Sequence, residues 1–145
     1  MAIFLQHIMG NLTKSAETIA RRGHEGQTRR GGAPYISHPE RVARRVAGDP
    51  EAEAVAWLHD VLEDTDETEE SLLAAGIPEN VVEAVRTLTK SGDLEYLEYL
   101  EQVRQNPLAR KVKIADMLDN LSDDPKEKQI IKYARGLLIL HGVSE

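Results

Sequence analysis

The stretch AWLHDVLEDT, Ala56 to Thr65, decides how this chain is read. Val55, Ala56, Leu58, Val61 and Leu62 put apolar side chains around almost the whole circumference of a helix, and such a helix is buried. His59, Asp60, Glu63 and Asp64 interrupt it. His59 lies four residues before Glu63, and Asp60 four before Asp64, so each pair shares a helix face. Buried carboxylates are costly unless paired, protonated or bound to metal. The stripe has no Lys or Arg of its own, and a divalent cation is the simplest neutraliser. Taken singly, the groups have plainer readings. Glu63 and Asp64 fit the solvated end of a helix that runs on into the acidic EDTDETEE, and His59 fits a hydrogen-bonded core histidine.

Outward from this stretch the periodicity stays helical. LTKSAETIARRGHEGQ predicts a first helix with Asn11 as its N-cap. TRRGGAPYI is a loop, because Gly31, Gly32 and Pro34 oppose helix. SHPERVARRVAG predicts a second helix, with Ser37 as cap and Gly48 as stop, and DPEAEAVAWLHDVLEDT an unbroken third. TEESLLAAG, PENVVEAVRTLTK, DLEYLEYLEQVRQ, NPLARKVKIADMLDNLSD and PKEKQIIKYARGLLILHG follow as further helices. No alternating strand pattern stands out. The expectation is an all-α, compact, single-domain bundle of roughly seven or eight helices spanning residues 1–145.

Composition bounds the function. The 145 residues are 41% hydrophobic, which suits one globular core. There is no cysteine, hence no disulfide, thiolate nucleophile or Cys-ligated zinc. The net charge of −7 and pI near 5.3 oppose broad nucleic-acid binding, while leaving room for a small anion held by local Arg and Lys. No apolar run is long enough to span a bilayer and no basic region precedes the N-terminal apolar residues, so a cytoplasmic chain without membrane contact is expected.

Two further segments join the stripe. VKIADMLDN sets Asp116 in an apolar context, with Lys113 three before it and Asn120 four after, all on one face. Alone, Lys113 and Asp116 also fit a surface ion pair. PYISHPERV places His38 at a loop-to-helix junction, where a capping or surface histidine is the common case.

Together these segments resemble the HD superfamily of metal-dependent phosphohydrolases. More narrowly they resemble the hydrolase domain of the RelA/SpoT family and its single-domain members, the small alarmone hydrolases. The matching text is HEGQTRRGGAPYISHPERVA, AWLHDVLEDT, VRTLTK and VKIADMLDN, in that order, from about residue 11 to residue 122. The resemblance implies that His38, His59, Asp60 and Asp116 are metal ligands. It implies that Glu63 and Asp64 activate or position the attacking water. Arg29 and Arg30 would face the nucleotide, and Asn120 would sit near ribose and phosphate. The implied metal is manganese, and the implied reaction removes the 3′-pyrophosphate of ppGpp or pppGpp. No synthetase segment is found, so hydrolysis alone is expected. Met117, Leu118 and Asp119 stand where long members carry a basic and a His residue.

The residue types support this chemistry on their own terms. Two His and two Asp suit manganese, iron, nickel or zinc. Glu63, one turn from His59, is placed to take a proton from water, and Asp64 to orient it. Arg29 and Arg30 keep their charge and offer planar forks to phosphate. Phosphoryl hydrolysis follows from these types, whereas guanine and the 3′ position do not. Two other readings stay open: an HD phosphatase on another nucleotide such as NADPH or a 5′-nucleotide, and a non-catalytic nucleotide sensor or antitoxin-like partner. Tyr96, Tyr99 and Trp57 are read as core, His24 as structural, and His7 and His141 as exposed.

Overall fold

Asp49 and Asn106 show how this sequence starts its helices. Each is followed by proline at the first helical position, and each side chain accepts from a backbone N–H three residues on, Ala52 N at 3.2 Å and Ala109 N at 3.0 Å. The computed structural model describes the backbone of residues 2–143 and the side chains of residues 10–143. Among these it has nine helical elements and no strand: α1 (Ala2–Gly23), α2 (Ser37–Arg45), α3 (Pro50–Leu58), α4 (Val61–Asp64), α5 (Glu69–Ala74), α6 (Glu79–Leu88), α7 (Tyr96–Arg104), α8 (Pro107–Leu121) and α9 (Glu127–Leu140). The all-α expectation holds. Among the described residues, no helix is long and apolar enough to cross a membrane.

Three local expectations are corrected. Asn11 lies inside α1, which begins well before it and stops at Gly23 instead of running to Gln27. Ser37 does not cap α2; its hydroxyl donates to Pro34 O at 2.8 Å. The predicted third helix is broken at the His-Asp pair. His59 Nδ1 donates to Ala56 O at 2.6 Å, the acceptor that the Asp60 N–H would use in an unbroken helix. Asp60 then adopts φ −111° and ψ 2°, outside helical geometry, and a single turn, α4, restarts beyond it.

The core is built around α3. Ala52, Ala54, Val55, Ala56, Trp57 and Leu58 are all buried, so this helix is apolar on every side. It packs against α1, α2, α6 and α8. Leu72, Val85, Leu100, Met117 and Leu140 extend the core outward, each fully buried side chain contributing about 1.5–3 kcal/mol. The C-terminal end of α1 sits against the residues after α4. A Cβ at Gly23 would lie 3.0 Å from Thr65 Cγ2, so glycine permits this close approach. The loop from residue 24 to 36 folds back on itself. Arg29 N donates to Ala33 O at 2.7 Å and Tyr35 N to Gln27 O at 2.9 Å. Gly31 and Gly32 turn its tip with φ of +93° and +92°, a region costly for other residues.

Candidate metal centre

The loop delivers His38 to the start of α2, the end of α3 delivers His59, and α8 delivers Asp116; all three are buried. One ligand atom from each lies within 4.8 Å of the other two. His38 Nε2 is 2.8 Å from Asp116 Oδ1, and His59 Nε2 is 3.6 Å from the same oxygen. The two rings meet edge to face at 5.2 Å. Asp60 stands beside this trio with Oδ2 3.1 Å from His59 Nε2, and it accepts the Tyr35 hydroxyl.

The outer nitrogen of each ring is already spoken for. His59 Nδ1 faces Ala56 O, and His38 Nδ1 faces Asp119 Oδ2 at 2.7 Å. A backbone carbonyl and a carboxylate only accept, so both Nδ1 atoms carry protons. Both Nε2 atoms therefore point lone pairs at carboxylate oxygens unless a second proton or a cation lies between. His59 Nε2 is buried and has no hydrogen-bond partner despite the nearby charges. The clustered donors of His38, His59 and Asp116 therefore fit a divalent ion of the mixed N/O class, with Asp60 standing beside them.

The electrostatics agree. Burial alone would raise the Asp116 carboxyl, yet Lys113 and the two histidines hold it well below the usual carboxylate range. Burial likewise opposes ionisation of Asp60, and the charge of His59 overcomes it, leaving the carboxyl depressed. Burial disfavours charge on His59, while Asp60 and Asp116 together push its pKa well above the ordinary value. Lys113 donates to Asp116 Oδ2 at 2.9 Å.

Glu63 and Asp64 lie on α4, just past His59 and Asp60, and are exposed. Burial, and then the neighbouring carboxylates, raise both pKa values. Glu63 lines a cavity of about 200 Å³ with His59, Asp60, Asp116, Tyr96 and three lysines, Lys90, Lys113 and Lys132. Asp64 is anchored through its backbone: Gln27 donates to Asp64 O at 2.8 Å, and His24 holds Gln27 at 2.8 Å while packing on Tyr35. His24 is therefore structural, as its place at the helix end suggests.

Arg29, Arg30 and Asn120 come together, lining a second cavity of about 460 Å³. Asn120 ties the group to the centre: it accepts from Arg29 at 3.1 Å and donates to Asp116 at 3.3 Å. Arg29 also keeps one terminal nitrogen buried without a hydrogen-bond partner.

Sequence reasoning missed Tyr35, Lys90, Lys132 and Asp119. Tyr35 stood in the matched PYISHP, where only the histidine drew notice. The core reading holds for Trp57 and for Tyr99, whose hydroxyl donates to Leu88 O at 2.5 Å. Tyr96 is half-buried and packs against that core, and it also lines the Glu63 cavity with a buried hydroxyl that has no hydrogen-bond partner. His141 is exposed as expected, and the side chain of His7 lies outside the described residues.

A family model described as HD domain matches residues 16–142. The chain belongs to the HD domain family. Among curated relatives, it is 39% identical over 109 residues to the guanosine-3′,5′-bis(diphosphate) 3′-pyrophosphohydrolase of Vibrio cholerae, covering 73% of this chain and 15% of that protein. The protein of the same name from Aquifex aeolicus is 33% identical over 150 residues, covering 88% and 21%. The bifunctional (p)ppGpp synthase/hydrolase SpoT of Escherichia coli K12 is 38% identical over 96 residues, covering 64% and 14%. The HD chain here thus spans about a fifth or less of the length of these relatives. A solved structure, described as a metazoan ortholog of SpoT that hydrolyzes ppGpp, superposes with a TM-score of 0.73 at 27% identity, covering 92% of this chain and 87% of that one.

Proposed function

We propose that the chain is a manganese-dependent phosphohydrolase that removes the 3′-pyrophosphate of ppGpp or pppGpp, giving GDP or GTP and pyrophosphate. The observation that carries the reading is the buried centre, where two histidine Nε2 atoms converge on the carboxylates of Asp60 and Asp116 with both Nδ1 atoms already engaged. His38, His59, Asp60 and Asp116 would hold the ion. When bound, a divalent cation supplies positive charge to a phosphoryl oxygen and acidifies nearby water. The names of the Vibrio and Aquifex relatives support the substrate.

The chain's own residues supply the rest. Glu63 opens onto the cavity beside the ligands, and its raised pKa makes it a stronger proton acceptor than an ordinary glutamate. In the proposed reaction water adds to the phosphorus carried by the ribose 3′ oxygen. The water proton passes to Glu63, the P–O3′ bond breaks, and the 3′ oxygen leaves with a proton from Glu63 or solvent. Asp64 orients the attacking water. Arg29 and Arg30 pair with phosphate or stack on the base, and Asn120 joins them to Asp116. On the other side, Lys90, Lys113, Lys132 and the unpartnered Tyr96 hydroxyl receive the pyrophosphate.

The test is incubation of the purified chain with ppGpp and Mn²⁺, with His59→Ala as control and anion exchange to resolve products. GDP and pyrophosphate from the wild type only are expected. Bound manganese without turnover would redirect the search to other phosphorylated nucleotides, with release of inorganic phosphate from NADPH or a 5′-nucleotide as the sign.

A further inference from the structure

We propose that Asp119 is a positioning residue, whose buried carboxylate, clamped by Arg41, fixes the His38 ring with Nδ1 protonated and Nε2 turned to the metal centre. The inference rests on the metal-site reading above and needs no particular substrate.

Asp119 is 0% exposed. A carboxylate in that position has to be paired, and its partners are all drawn from the first third of the chain. Oδ2 takes the His38 Nδ1 proton at 2.7 Å. Arg41 closes a fork on the other side, Nε to Oδ1 at 2.9 Å and a terminal nitrogen to Oδ2 at 3.1 Å. Arg45 and Arg29 lie further out, each 3.8 Å from one carboxylate oxygen. Such a bidentate fork holds the carboxylate plane as well as its charge.

Helix register explains the geometry. Asp116 and Asp119 are three residues apart on α8 and share a face. One imidazole fits between them: Nε2 meets Asp116 and Nδ1 meets Asp119, at 2.8 and 2.7 Å. The first carboxylate belongs to the centre, and the second stands behind the ring. A carboxylate behind a ligating histidine fixes its tautomer and orientation and strengthens it as a donor. Arg41 is three residues after His38 on α2, so the same short helix presents the ligand and the clamp of its orienting group. Among the described residues, Arg41 reaches the centre only through Asp119.

The experiment uses the full chain with Asp119→Asn and Arg41→Met. Mn²⁺ affinity is read by titration calorimetry, the coordination by the visible spectrum of the Co²⁺ form, and folding by melting of the metal-free proteins. Asp119→Asn is expected to bind Mn²⁺ about tenfold to a hundredfold more weakly, with an altered Co²⁺ spectrum. Arg41→Met is expected to lose less, in the same direction. A folded Asp119→Asn protein with Mn²⁺ affinity within a factor of about two of wild type overturns the inference. A wild type that binds no divalent ion overturns the metal-site reading itself, so the two failures are distinct. If Asp119→Asn does not fold, ring ¹⁵N NMR of the zinc-loaded wild type decides. Zinc on Nε2, with a downfield, exchange-protected Nδ1 proton on His38, is expected; zinc on Nδ1, or a fast-exchanging proton there, overturns it.

Discussion

Replacing Lys113 by Met should destabilise the metal-free protein far more than the metal-loaded one. Lys113 Nζ is 2.9 Å from Asp116 Oδ2, while Asp116 is buried and its carboxyl is held ionised. Removing one partner of such a pair leaves an uncompensated charge and costs about 3–5 kcal/mol. His38 and His59 also face Asp116 and take up part of its charge, which favours the lower end, about 3 kcal/mol. For a chain of this size each kcal/mol lowers Tm by about 2–4 °C, so a fall of about 6–12 °C is expected in chelator. A bound divalent cation takes over as counter-charge, so at saturating Mn²⁺ the gap should shrink to less than half. Removing a nearby ammonium should also tighten Mn²⁺ binding. The assay is thermal melting of wild type and Lys113→Met with chelator and with Mn²⁺, closed into a cycle with Asp116→Asn. Equal shifts with and without metal, or additive single and double variants, would refute the assignment of Lys113 as the counter-charge of Asp116.

Three further outcomes are expected. Glu63→Gln should cut turnover by about 10²–10⁴-fold while Mn²⁺ affinity holds; because the raised Glu63 pKa must be passed from below to give the active carboxylate, the wild-type rate should climb with pH above the ordinary glutamate value, and the variant should lose that limb. Asp49→Ala should cost about 1 kcal/mol and about 2–4 °C in Tm, from loss of the α3 cap; the bond from Lys111 holds the Asp49 pKa below its unfolded value, so this stabilisation is present above that value, is lost as pH falls through the folded one, and the two melting curves should converge in strong acid. Gly136→Ala should be neutral to destabilising by denaturant unfolding, because its Cβ would meet Met117 Cε at 2.6 Å and Leu100 Cδ1 at 2.9 Å; the overpacking costs about 1–3 kcal/mol against a helix-propensity gain of about 1, and a clear rise in stability would show that α9 has room to move.

The parts legible in the sequence were those set by short-range rules. Asp49-Pro50 and Asn106-Pro107 announced their helices, and the apolar setting of His59 and Asp116 their burial, whereas α2 stops at Arg45, before Gly48, and Asp60 is only half-buried. What escaped was set by groups distant in sequence or by competition for one atom. Helical spacing placed His59 and Glu63 on one unbroken rod, but the His59 ring takes the Ala56 carbonyl and ends the helix there. Asp119 reads as the polar side of an amphipathic helix until Arg41 and His38, some eighty residues earlier, are seen to enclose it. Lys132 reads as a solvated lysine of the last helix, and only the fold sets its ammonium 4.3 Å over the Tyr96 ring. Tyr35 similarly needed the fold of its own loop to reach Asp60.

The break after Leu58 separates two tasks that an unbroken rod would have fused. The proposed ligands His59 and Asp60 follow directly on the buried end of α3, whereas Glu63 and Asp64 ride on one exposed turn with no helical ladder beyond it. That turn is tethered by Thr65 Oγ1 to Val61 O and by Gln27 to Asp64 O. Its amides should exchange with solvent well before those of α3. A substitution at Gln27 or Thr65 can therefore retune the proposed proton acceptor while the proposed metal ligands stay where the core holds them.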